Sequence, residues 1–227
     1  MKDNTLSKLG GTCSIVVGGS YLVAAAVYLL SPVKVQDAAG IPPGQFLETL
    51  AQDATGYTVS LGIAALDSLL AIAVILAISG SLQSANPGWV RWTSTLAIVG
   101  SAVNAVEFLN RIVLNPARAA AYVKGDAAVK AALTVPGALA GLDPQAWLRF
   151  GAVGVWILVV SVLALRGNTW PKPLAYVGIG LAIAYGLVVA TNLLQIQLFT
   201  AIVAGVGFVV LAPIWYIWLG VRLRRVN

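Results

Sequence analysis

The chain has 227 residues, of which 59% are hydrophobic and 10% charged, with a formal net charge of +6. Ordinary soluble domains carry roughly 25% charged residues, so this composition excludes water as the main solvent and points to lipid. The lack of histidine and the single cysteine, Cys13, exclude an intrachain disulfide, a thiolate metal cluster and the usual haem ligand, so no cofactor is expected.

Six apolar segments pass the length test for a helix crossing a hydrocarbon core, which takes about 20 residues. They run 9–30, 57–82, 89–114, 147–165, 174–194 and 198–221. Lipid offers no partner to backbone N–H and C=O groups, so helices are the required form. The reading is an all-α, polytopic membrane helix bundle with about six transmembrane helices, a single domain over 1–227 with longer outer loops at 31–56 and 115–146.

The first segment is too long for the apolar run of a cleaved signal peptide, and Tyr28-Leu29-Leu30-Ser31-Pro32 offers no small-residue cleavage site. It is read as the first span, with Cys13 as a small packing residue. In the first loop, Ile41-Pro42-Pro43-Gly44 precedes Phe46, Leu47 and Leu50, a pattern for a short helix that is either a lid over the outer opening or a plain connector.

Asp67 stands in the middle of the second span. An ionisable group there costs roughly 2.5 to 3.5 kcal/mol on insertion scales, so it must face protein, water or a partner. On the third span Ser94, Ser101, Asn104, Glu107 and Arg111 follow at spacings of 7, 3, 3 and 4, one stripe on one helix face. Glu107 and Arg111 form an i,i+4 pair with the acid first, the better orientation. Counting about 1.5 Å per residue along an antiparallel hairpin puts Asp67 and Asn104 at similar depth, with Glu107 and Arg111 stepping toward the outer face. Asp67, Ser68, Asn104, Glu107 and Arg111 are therefore the candidate ligand or ion pocket. The alternative is that Asp67, hydrogen-bonded to Ser68 and Asn104, glues two helices together. With no histidine and one aspartate in the membrane core, neither a nucleophile with its base, an aspartate pair nor a metal set assembles, so no catalytic residue is expected.

The third loop reads as a surface helix from 117 to 133, broken by Pro136-Gly137 and Gly141-Leu142-Asp143-Pro144 before the fourth span. In the fifth span, Gly178/Ala182, Gly180/Ala184 and Gly186/Ala190 are small pairs at i,i+4 that let backbones approach, within the bundle or between copies of the chain. Pro213 predicts a kink in the sixth span. Trp89, Trp92, Trp147, Trp170, Trp215 and Trp218 fall near span ends, where indoles anchor at the headgroup level, while Trp156 reads as a mid-membrane packing residue.

Lysine and arginine set the orientation. With the N-terminus cytoplasmic, eight basic residues lie inside (Lys2, Lys8, Arg91, Arg166, Lys172, Arg222, Arg224, Arg225) and six outside (Lys34, Arg111, Arg118, Lys124, Lys130, Arg149). Both termini are expected on the cytoplasmic side, and the basic tail serves topology and anionic lipid, not nucleic acid.

Leu142-Asp143-Pro144 before a span, then Leu165-Arg166-Gly167-Asn168-Thr169-Trp170-Pro171-Lys172-Pro173-Leu174 and Gly178 before Tyr185, resembles the pattern of a bacterial family of six-span proteins known only as a domain of unknown function. Typical there are an Arg-Ser-Gly turn, a Pro-Arg or Pro-Lys pair and a glycine-rich fifth span; here Arg166-Gly167 lacks the intervening small residue. The resemblance implies a multi-pass protein of the bacterial inner membrane and supplies no activity. The expected function is an accessory or structural component of a membrane assembly, with the bilayer and a membrane protein or a second copy as partners. The alternative is a carrier or channel for a small polar solute, proton or cation.

Overall fold

The computed structural model describes residues 4–30, 42–135 and 137–225. Lys2, Lys34, Ile41 and Pro136, used in the reading of the loops and orientation, lie outside them. The elements in chain order are α1 (Asn4–Leu30), α2 (Pro43–Gln52), α3 (Thr55–Leu82), α4 (Pro87–Lys124), α5 (Ala127–Thr134), a π-helical turn (Trp147–Ala152) leading into α6 (Val153–Arg166), α7 (Lys172–Leu193), α8 (Gln197–Gly205), a second π-helical segment (Val206–Leu211) and α9 (Ala212–Arg225). Among the described residues, six stretches are long and apolar enough to cross a membrane: Thr5–Val27, Thr55–Leu82, Pro87–Lys124, Trp147–Arg166, Lys172–Leu193 and Leu198–Arg225. This is an all-helical, multi-pass membrane architecture.

Each span packs on its neighbours in sequence, and the last returns to the first, so the six close into a ring. The outward surface is apolar along its length: Val16, Leu22 and Val23 on the first span, Leu66, Leu69 and Leu76 on the second, and Val99, Val106 and Leu109 on the third are all well exposed. Water would oppose such a surface at roughly 25 cal/mol per Å2, whereas lipid accepts it.

The closing seam is built from glycine. A Cβ on Gly220 would lie 2.6 Å from the carbonyl oxygen of Gly11, and one on Gly18 would lie 2.6 Å from the Ile217 side chain. Ser14 then donates to the Tyr216 carbonyl at 2.6 Å. Gly10 faces the other way, toward Ala73 and Ala77 of α3. The small residues that matter most for closure are thus in the first span. In the fifth span Gly178, Ala182 and Ala184 are buried, but Gly186 and Ala190 are exposed on the outer surface of the ring.

Two sequence expectations are corrected. The surface helix expected over 117–133 is instead the continuation of the third span: α4 runs unbroken past Pro116 to Lys124, and a separate helix, α5, follows. Short α2 packs along this extension, with Phe46 and Leu47 fully buried beside Tyr57 and Phe108, and that burial offsets the hydrogen bond Pro116 removes. Asp126 then caps α5, accepting the Ala128 and Val129 N–H groups at 3.0 Å. The connection between the third and fourth spans is correspondingly shorter than 115–146, and α2 lies against α4. Asp53, between α2 and α3, accepts the Thr55 N–H at 2.8 Å, which holds its carboxyl below the usual range.

The second correction concerns the tryptophans. Trp89, Trp92, Trp147 and Trp218 are exposed as interfacial anchors should be, but Trp170 is 7% exposed and Trp215 wholly buried. They join Trp156 in an edge-to-face cluster, with ring centroids 6.0 Å (Trp156 to Trp215) and 6.3 Å (Trp170 to Trp215) apart. Gly178 makes room for this plug, since a Cβ there would meet the Trp215 indole nitrogen and the Ser161 hydroxyl. At Pro213 the helix shifts to π-type bonding over the preceding six residues, which absorbs the missing N–H.

Candidate functional site

The hairpin of α3 and α4 keeps one register along its length. Ser79 pairs with Ser94 at 2.5 Å, Ser68 with Asn104 at 2.7 Å and Tyr57 with Asn115 at 2.6 Å. Asn104 does stand at the depth of Ser68 and its neighbour Asp67, as counting along the helices predicts. Successive residues on a helix point about 100° apart, so the two adjacent polar groups on α3 serve different neighbours.

Asp67 does not bond Ser68 or Asn104. Its carboxylate accepts the Ser20 hydroxyl of α1 at 2.5 Å, while the flanking Leu66 and Leu69 point outward, 52% and 51% exposed. Asp67 itself is 8% exposed and faces the ring interior, within electrostatic reach of Tyr21, Tyr185 and Tyr216. Those tyrosines belong to an aromatic cluster with Phe150 and Phe208, in which the Tyr21 and Tyr185 hydroxyls are 3.5 Å apart. Ser68 donates to the Ala64 carbonyl at 2.7 Å and accepts from the Asn104 amide, whose own oxygen is buried and has no partner among the described residues.

Farther along α4, Glu107 and Arg111 form the ion pair their spacing predicts, 2.5 Å long, with the two side chains 5% and 22% exposed. The second carboxylate oxygen of Glu107 accepts the Asp143 N–H at 3.2 Å. Gly141 sits directly against the pair, where any Cβ would collide with both Glu107 and Arg111. Asp143 in turn accepts three backbone N–H groups, of Trp147, Leu148 and Arg149, at 2.8 to 2.9 Å. These are orphan donors at a helix start, so one residue serves twice: the Asp143 carboxylate caps the fourth span and its backbone N–H ties the loop to Glu107.

Of the five residues singled out from sequence, Ser68 and Asn104 meet each other, Glu107 and Arg111 meet each other, and Asp67 turns to the first span. Ser20, Gly141, Asp143, Arg149 and the tyrosines were missed. Asp143 before Pro144 carries a cap signal that a search for helix starts detects. Arg149 lies in the first turn of the fourth span, as the expected bounds 147–165 place it, with its guanidinium 4.6 Å from the centre of the Phe150 ring and 5.8 Å from that of Phe108. Among the described residues, no three His, Cys, Asp or Glu side chains gather as a metal set.

The family described as Domain of unknown function (DUF4386) matches residues 16–223, which takes in four spans whole, about half of the first and nearly all of the last. The chain belongs to this family. No curated protein and no solved structure matches it. The DUF4386 match includes Ser20, Asp67, Asn104, Glu107, Gly141, Asp143 and Arg149, so these polar residues all lie within the family's extent.

Proposed function

We propose that this DUF4386 protein is a non-catalytic component of a bacterial inner-membrane assembly, with both termini cytoplasmic. The observation that supports this reading is how the membrane-embedded polar groups are spent. Asp67 fastens α3 to α1, Ser68 and Asn104 fasten α3 to α4, and Glu107 fastens α4 to the loop before the fourth span. Buried polar groups used this way specify which helices meet. A partner membrane protein, or a second copy of the chain, would use the exposed Gly186 and Ala190 of α7. Asp67→Asn should leave such a protein inserted, folded and co-purifying with its assembly; loss of the complex alongside normal folding would contradict the reading.

One observation favours a second reading, a carrier or channel for a small polar solute, proton or cation. Asp67 faces the ring interior, beside three tyrosines, where a transported group would meet it. Under this reading the Asp67→Asn protein inserts normally but loses flux in reconstituted vesicles. Absence of flux by the unmodified protein across a broad solute panel would remove it.

A further inference from the structure

Arg149 has an unusual standing for an arginine inside a membrane span. Its guanidinium lies over Phe150 and Phe108, cation–π contacts that take up no hydrogen-bond acceptor. Among the described residues it makes no ion pair, and its enclosed Nε has no hydrogen-bond partner. The neighbouring carboxylates supply charge, but neither is hydrogen-bonded to Arg149 among the described residues. Glu107 is held by Arg111 through one oxygen and by the Asp143 N–H through the other, and Asp143 is taken up by three backbone N–H groups. Arg111, near enough to Arg149 to repel it, also keeps an enclosed Nε without a partner. Gly141 packs against the Glu107–Arg111 pair, where its lack of a side chain leaves the pair room.

We infer that Arg149, with Arg111 beside it, is a binding site for a carboxylate or phosphate group entering from the outer end of the ring. A planar guanidinium matches such an oxyanion in bidentate fashion, and burial strengthens each charge-assisted bond. Trp147, two residues earlier, is 55% exposed, so this end of the span lies at the protein surface. The oxyanion therefore comes from a soluble anion or a phospholipid headgroup. This goes beyond the accessory reading and holds under the carrier reading as well.

The test uses the full chain in a phosphate-free maltoside detergent. Sodium phosphate and sodium acetate are titrated at constant ionic strength with chloride as reference, and phosphatidylglycerol mixed micelles form a separate arm. At a hundredfold excess over the dissociation constant, an occupied site should raise the thermal midpoint by about 5 °C. Arg149→Gln should abolish the rise and Arg149→Lys most of it, while Arg225→Gln on the exposed tail leaves it intact. Should the Arg149 variants fail to fold, phenylglyoxal labelling of the unmodified protein, mapped by mass spectrometry, replaces them: the bound anion should slow modification of Arg149 at least severalfold and leave Arg225 unaffected. A response to phosphate or acetate identifies a soluble ligand, and a response to phosphatidylglycerol alone identifies the headgroup. No stabilisation and no protection in any arm, or a rise that survives Arg149→Gln, overturns the inference.

Discussion

Ser20 shows how one hydroxyl decides where a charge can sit. Its bond to Asp67 gives the carboxylate a donor from another span, and in the hydrocarbon core no water stands ready to replace it. Ser20→Ala should cost about 1 kcal/mol, within the range measured for bonds between membrane helices. In an Asp67→Leu background the same substitution should cost almost nothing, because the acceptor is gone. Reversible unfolding in mixed micelles measures both, and equal losses in the two backgrounds would contradict the pairing. Asp67 was legible in the sequence because a lone acid in an apolar run stands out. Ser20 was not, since serine is a common, uncharged visitor to membrane helices and nothing in its neighbours signals a partner 47 positions away. Arg149 fell inside the expected fourth span but was counted only as a charge that sets topology; its place against Phe150 and Phe108 comes from the fold.

At the scale of elements, the start of the fourth span and the seam between the first and sixth carry the sharpest expectations. Asp143→Ala removes the acceptor of three N–H groups and should cost about 1 to 2 kcal/mol, concentrated at one end of the helix. Hydrogen exchange should therefore quicken at Trp147, Leu148 and Arg149 and stay unchanged in the middle of α6. Gly220→Ala drives a methyl into the backbone of Gly11 and should destabilise by about 1 to 3 kcal/mol. Gly62→Ala, where a Cβ meets nothing within 4 Å, should be neutral or gain up to about 1 kcal/mol. Equal midpoints for these two variants would show that the seam is not close packed. The span boundaries were readable from hydropathy to within a few residues, except at Pro116. There local chemistry argues for an end, and packing of α2 on the extended helix wins instead. The buried tryptophans follow the same logic: proximity to a helix end marks a residue as interfacial only if its face of the helix looks outward.

For the whole molecule, the consequence of composition is a matter of solvent. Between 33% and 56% of each span's most apolar window is buried, so much of every span still presents apolar atoms outward. The protein should partition into the detergent-rich phase on cloud-point separation and stay there after alkaline washing of membranes; recovery as a folded aqueous species would contradict the architecture. Six spans were countable from sequence because lipid imposes a length. Their circular arrangement was not, since no pairwise motif announces that the first helix lies against the last. That arrangement bears on biosynthesis. The helix made earliest of the six presents Gly11 and Gly18 to a mate that the ribosome delivers only at the end, so until then a groove of bare backbone stays open to the bilayer. An interrupted chain would display this unfilled groove as a mark of incompleteness, open to whatever surveys the membrane for unfinished proteins.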